Sequence, residues 1–207
     1  QTVSLEMVLM GIKPIDEEAV KAAKAHWDCV AKPLNSLGVL EEDICRIAGV
    51  KQREEFSLDK KCIVVMCADN GIVEEGVTQT GQEVTAIVAD NFVKETTTAC
   101  VMCHQCGVDV KPVDVGMVRD TTARTDLKVM YGTRNMTKGP AMTRDEAIKG
   151  IEAGIAMVEE LKNKGYKILA TGEMGIGNTT TSSAVASVLL EQPVEEMTGR
   201  GAGLTSE

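Results

Sequence analysis

Apolar positions follow two textures along the chain. Between residues 16 and 50 they recur at helical spacing; from residue 62 they also gather in short unbroken runs. "DEEAVKAAKAHWDCVA" (16–31) reads as a helix that Asp16 can cap, with acidic side chains in its first turn near the positive end of the helix dipole. Pro33 stops it. "SLGVLEEDICRIAGV" (36–50) reads as a loop and a second helix, with Leu40, Ile44 and Ile47 as its apolar stripe.

"CIVVMCADNG" (62–71) is a continuous apolar run ending in Asp69, Asn70 and Gly71, the pattern of a strand buried on both faces of a parallel sheet. "VDVKPVDVGM" (108–117) and "YKILATG" (166–172) are two further strand candidates. "TRDEAIKGIEAGIAMVEELKNKG" (143–165) predicts a long helix between them, with Thr143 and Glu146 as a capping box and Gly165 as the stop. Ile148, Ile151, Ile155 and Val158 should line its apolar face. Strand, helix and strand in succession mean crossover units, so the expected class is α/β with a doubly wound, Rossmann-like parallel sheet. Ligands on such sheets bind beyond the carboxyl ends of the strands.

At one of those ends lies "GEMGIGNTTTS" (172–182). It is close to the triphosphate-cradling loop G-x-x-x-x-G-K-[ST]: Gly172, Gly177 and Thr179 fall in place, but Asn178 stands where the lysine should be. A strand precedes this turn and a helix, about 180–190, follows it. The free N–H groups at the head of that helix attract an anion, and Thr179 and Thr180 can add hydroxyl donors. Without the lysine, the reading is a single phosphate held mostly by backbone amides; a plain glycine-rich turn is the competing explanation. "TGRGAG" (198–203) is a second glycine-rich turn. "ADNGIVEEGVTQTGQEVT" (68–85) places Asp69, Asn70, Thr78 and Gln82 at a strand end and loop, where amides could orient a flat heterocycle; a solvated polar loop is the alternative.

Net charge of −9 and only five aromatic residues argue against nucleic acid, whose affinity is carried by Lys and Arg on phosphates and by stacking. No run of 18 apolar residues would span a membrane. The sequence opens on Gln1 rather than Met, so an upstream start and a cleaved leader both stay open. Seven cysteines in a chain of 207 residues do not form the framework of a secreted disulfide scaffold and point to a reducing cytoplasm. Within "CVMCHQC", Cys100, Cys103 and His104 match the haem-attachment spacing and Cys106 adds a sulfur. The plainer reading is one helix over 90–107 closed by Gly107, and no metal is expected.

Six segments in order carry a resemblance: "PLNSLGVLE", "CADNGIVEEGVTQTGQEVT", "VDVGM", "TRNMTKGPAMT", "GEMGIGNTTTSSA" and "GRGAG". Together they resemble the nicotinate-nucleotide–dimethylbenzimidazole phosphoribosyltransferase family of cobalamin nucleotide-loop assembly, from near residue 5 to the last residue. The resemblance implies transfer of ribose 5-phosphate from nicotinate mononucleotide to a benzimidazole-type base, giving α-ribazole 5'-phosphate and nicotinate. It implies no cofactor and no metal, two small-molecule substrates, and a homodimer. A monophosphate donor also leaves a triphosphate-reading lysine without a task.

By the same resemblance Glu173 is an active-site carboxylate, while the family's principal catalytic glutamate lies in a C-terminal half beyond Glu207. Gly175, Ile176, Gly177, Asn178, Thr179, Thr180, Gly201 and Gly203 are the expected nucleotide and phosphate contacts. Asp69, Thr78, Gln82 and Met174 are the expected base contacts. "QTG" (79–81) replaces a more usual aromatic-Pro step, which leaves the preferred base open. Residues 1–58 are expected to contribute to a small helical domain and 59–207 to an α/β nucleotide-binding domain lacking its C-terminal part. Two rival functions remain: a subunit of a heterodimeric phenol or base phosphoribosyltransferase, and a non-catalytic nucleotide-binding module.

Overall fold

The structure is a computed structural model and describes residues 4–201. The chain divides into two compact units, residues 6–59 and residues 1–5 with 60–207.

The first unit holds helices α1 (Leu5–Gly11, which begins one residue before it), α2 (Glu17–Cys29) and α3 (Val39–Lys51). Asp16 caps α2, its carboxylate accepting from the N–H groups of Glu18 and Ala19 at 3.0 Å. Small residues let α2 and α3 approach. Ala19, Ala23, Cys45 and Ala48 are buried, and a Cβ on Gly49 would stand 2.6 Å from Val20 Cγ2. The stripe expected on α3 is turned from its predicted place: Leu40 is 53% exposed, and Glu41, Cys45, Ala48 and Gly49 form the buried face. Glu41 is held inside through Oε1, which accepts from Lys32 Nζ at 2.6 Å and from the Leu37 N–H at 3.0 Å.

The second unit is a three-stranded parallel sheet in the order β2-β1-β3, formed by β1 (Lys61–Ala68), β2 (Val108–Gly116) and β3 (Ile168–Met174). β1 leads through a 3-10 turn (Gly71–Glu75), α4 (Glu83–Val93) and α5 (Thr98–Gln105) to β2 on one side. β2 leads through α6 (Arg144–Asn163) to β3 on the other side of β1; α7 (Asn178–Leu190) and α8 (Val194–Met197) follow. Alternation along β1 sorts the core. Val65 and Cys67 pack with Ala89 and Phe92 of α4, Cys100 of α5 and Met117. Cys62 and Val64 pack on the opposite face with Val113 and with Met157 and Leu161 of α6. Helices thus cover both faces, as in the expected doubly wound α/β class.

Two further helical expectations are corrected. Residues 90–107 are not one helix: α4 ends at Val93 and α5 begins at Thr98. The Thr97 hydroxyl accepts from the Cys100 N–H at 3.1 Å and caps the new start, in a run of three threonines poorly suited to a helix interior. Cys100 and Cys103 turn into the core while Cys106 is exposed, so these thiols diverge. Among the described residues, no group of three or more His, Cys, Asp or Glu side chains could hold a metal. On α6 the capping box of Thr143 and Glu146 is formed. The buried face, however, is Ala153, Met157 and Leu161, while Ile151 and Val158 are 52% and 49% exposed. Among the described residues no helix is long and apolar enough to cross a membrane.

Candidate active site

All three strands point their carboxyl ends the same way, and the chain reverses its winding at β1. The turns after β1 and β3 therefore meet at the switch point of the sheet. The turn after β3 is Gly175–Gly177, and it lies directly on the end of β1. A Cβ on Gly175 would be 2.2 Å from the Ala68 carbonyl oxygen and 3.0 Å from Asn70 Nδ2. Gly177 has φ +84 and is the residue preceding α7. Both glycines are buried.

The peptide groups of this turn are unequally engaged. The Ile176 N–H donates to Thr85 Oγ1 at 3.1 Å, and the Ile176 carbonyl accepts from Asn70 Nδ2 at 3.2 Å. The Asn178 N–H returns to the Gly175 carbonyl at 3.0 Å. The N–H groups of Gly177, Thr179 and Thr180 have no acceptor among the described residues. Gly201 comes to the same place: a Cβ on it would stand 3.3 Å from Thr179 Oγ1. Gly203 lies outside the described residues.

Glu173 and Met174 are adjacent on β3 and so face opposite sides of the sheet. Met174 packs with the α4 side of the core. Glu173 pairs in register with Met66, on the α6 side, and is exposed. Gln82 stands at the start of α4, half-buried, with Nε2 donating to the Asn70 carbonyl at 3.1 Å. Thr78 closes its own turn by donating to the Thr80 carbonyl at 2.8 Å.

Asp69 sits beneath these loops and has no exposed surface. Its N–H donates to the Gly116 carbonyl and its carbonyl accepts from the Thr133 N–H, both at 3.0 Å. Its Oδ2 accepts from the Val118 N–H at 2.8 Å, while Oδ1 is enclosed with no well-formed hydrogen bond. Burial raises its carboxyl above the ordinary aspartate range. The Val118 N–H and the neighbouring Thr85 hydroxyl work against that rise, and the Asp114 charge adds to it. Asp114 is equally buried and is answered by Lys128 Nζ at 3.0 Å, an ion pair without hydrogen-bond geometry. Burial works against the Lys128 ammonium, but Asp114 and Asp120 outweigh it and raise its affinity for the proton. The long segment 117–143 is thereby tied to the ends of β1 and β2.

The glycine turn, the head of α7, Gly201 and Gln82 are thus brought around the ends of β1 and β3, whereas Asp69 supports them from below. The sequence does not single out Thr85 or Thr181, and for Asn70 it suggests only a ligand-orienting role. The Thr181 hydroxyl donates to Asn70 Oδ1 at 2.9 Å. Thr85 breaks the apolar pattern of 84–88, while Asn70 and Thr181 stand among polar neighbours that mark nothing.

This sheet and turn define an α/β protein built to present backbone amides at a switch point. The chain belongs to the phosphoribosyltransferase family, whose model matches residues 12–207. Its relatives include proteins named nicotinate-nucleotide–dimethylbenzimidazole phosphoribosyltransferase. The one from Clostridium tetani is 47% identical over 205 residues, which is 98% of this chain and 57% of that protein. The one from Acetivibrio thermocellus is 46% identical over 205 residues, 98% of this chain and 58% of that protein. The crystal structure of CobT from Thermus thermophilus superposes with a TM-score of 0.85 at 36% identity, covering 91% of this chain and 58% of that one. The chain therefore spans under three fifths of the length of these relatives.

Proposed function

We propose that the protein moves ribose 5-phosphate from nicotinate mononucleotide to 5,6-dimethylbenzimidazole or a related base, forming α-ribazole 5'-phosphate and nicotinate in cobalamin nucleotide-loop assembly. The observation that carries this reading is the turn Gly175–Gly177. It offers the amides of Gly177, Thr179 and Thr180 at the head of α7 with no lysine beside them. Such a site suits one phosphate rather than three.

The chemistry is a single displacement. The bond from the anomeric carbon to the pyridinium nitrogen breaks, and its electron pair neutralises that nitrogen, so nicotinate leaves without being protonated. A benzimidazole nitrogen forms the new bond, and its N–H proton passes to a carboxylate. Glu173, exposed at the end of β3, is the proposed active-site carboxylate within this sequence; the principal base is expected in the part of the relatives that lies beyond residue 207. Met174 and Gln82 are proposed on the base side, with Thr78 in the adjoining loop. This reaction calls for neither a metal nor a redox cofactor. Assignment of residues 1–58 to a small helical domain, a homodimer and a cytoplasmic location belong to the same proposal.

The test is nicotinate release by the full-length protein, given nicotinate mononucleotide and a panel of bases. Release that depends on both substrates supports the reading. Binding of the nucleotide without turnover, in the presence of every base, would leave a nucleotide-binding module instead.

A further inference from the structure

We infer that Asn70 is a positioning residue that turns the glycine loop's amides toward the ligand, and that the anion donors are Gly177, Thr179 and Thr180 but not Ile176. It rests on the proposed function only for the identity of the ligand.

The inference starts from one peptide plane. The Ile176 carbonyl and the Gly177 N–H belong to the same planar trans peptide, so they point in opposite directions. Asn70 Nδ2 holds that carbonyl at 3.2 Å, on the side of the loop that faces β1. The Gly177 N–H is therefore directed away from β1. Across the preceding peptide the roles reverse: Thr85, which has no exposed surface, takes the Ile176 N–H at 3.1 Å. That amide is spent on the protein and is removed from any ligand.

Only an amide side chain meets both demands at position 70. The nitrogen must donate to a carbonyl while the oxygen accepts from the Thr181 hydroxyl at 2.9 Å. Asn70 is 8% exposed, so neither bond can be replaced cheaply by water. Its main-chain carbonyl serves a different purpose, accepting from Gln82 Nε2 at 3.1 Å. The side chain thus orients the glycine loop, and the main chain holds the loop proposed to meet the base.

Aspartate is the informative replacement. It has the same shape but no donor, and its charge would face the Ile176 carbonyl oxygen. Gly177 has no Cβ to oppose rotation of the peptide, so the plane can turn over and aim its N–H at the new carboxylate. The amide is then lost to the ligand, and a negative charge stands beside an anion site.

Two measurements test this. In the first, inorganic phosphate is titrated into the protein and amide resonances are followed by NMR. Phosphate should shift Gly177, Thr179 and Thr180 and leave Ile176 nearly still; in Asn70→Asp the Gly177 response should vanish. Equal shifts at Ile176, or an unchanged Gly177 response in a folded variant, overturn the inference. The second measurement is kinetic, on the full-length protein. Asn70→Ala should raise the KM for nicotinate mononucleotide about tenfold, the effect of one buried hydrogen bond to a loop, with Asn70→Asp higher still and the KM for the base within about twofold. Thr181→Val should act in the same direction and be less than additive with Asn70→Ala. A parallel rise in both KM values would mark a general structural loss and overturn the positioning role. If the wild-type protein releases no nicotinate, the proposed substrate fails, while the phosphate titration still decides the direction of the loop amides.

Discussion

Gly175 lies so close to Ala68 that a single added methyl group would meet the Ala68 carbonyl oxygen at 2.2 Å. That neighbour is backbone of the central strand, and it cannot swing aside as a flexible side chain would. Gly175→Ala should therefore cost about 1–3 kcal/mol of stability, the usual range for overpacking, and should weaken nicotinate mononucleotide binding by moving the loop. Thermal unfolding and calorimetry check the two effects. An unaltered Tm would mean that β1 yields at its end.

Gln82 reaches the loop after β1 through its amide nitrogen, which the Asn70 carbonyl holds. That bond fixes which way the amide oxygen faces at the head of α4. Gln82→Ala should raise the KM for the base several-fold, about what one lost hydrogen bond permits, and should change the KM for the nucleotide less. Steady-state kinetics with each substrate varied in turn will show it. Equal changes would assign Gln82 to the scaffold.

Asp69 titrates above the ordinary aspartate range, with burial as the chief cause. An acid whose folded pKa is raised gives its full stability below the unfolded pKa, about 3.9. That stability is lost as pH rises toward the folded pKa, because the unfolded chain releases the proton first. Asp69→Asn cannot ionise and keeps an oxygen for the Val118 N–H. Its stability should rise relative to wild type between pH 4 and pH 7. Urea midpoints at those two pH values measure the difference, and a parallel pair of profiles would show that the folded carboxyl titrates where the unfolded one does.

Cys67 has no exposed surface, and burial pushes its thiol up to about 12. The unfolded thiol ionises near 8.5, so stability present below that pH should drain away as pH climbs toward 12. Cys62, raised to about 11 by burial, acts in the same sense. Cys67→Ala should unfold at a lower temperature at pH 7.5 but lose less on going to pH 10. Melting curves at the two pH values give the slope.

The sheet could be read from the chain because each strand is a local signal. The apolar run at 62–68, the alternating stretch at 108–117 and the run into Gly172 each mark a strand locally, although β3 buries none of its residues. Thr143 and Glu146 likewise announce the start of α6 three residues apart. The buried face of α6 could not be read that way. Ile151 and Val158 are strongly apolar, yet they are half exposed, while Ala153 is buried and Met157 and Leu161 pack on Cys62 and Val64 of β1. The break between α4 and α5 turned on whether Thr97 would cap or continue, which depends on how Phe92 and Cys100 pack. At the site, the glycines and their missing lysine were visible. Asn70, Thr85 and Thr181 were not, because each acquires its meaning only from a partner on a distant segment.

That distance bears on how the protein folds. The bonds from Thr85 to Ile176, Asn70 to Ile176 and Asn70 to Thr181 join positions 91, 106 and 111 residues apart. Closing loops of that length is slow and costs chain entropy before any contact repays it. Helices α4 to α6 and the pairing of β1 with β2 can form first, leaving the turn after β3 to dock onto an existing sheet. Substitutions at Asn70 or Thr181 should then hardly slow refolding and should mainly speed unfolding, with φ-values near zero. The part of the domain proposed to meet ligand would be the last to assemble and the first to come apart.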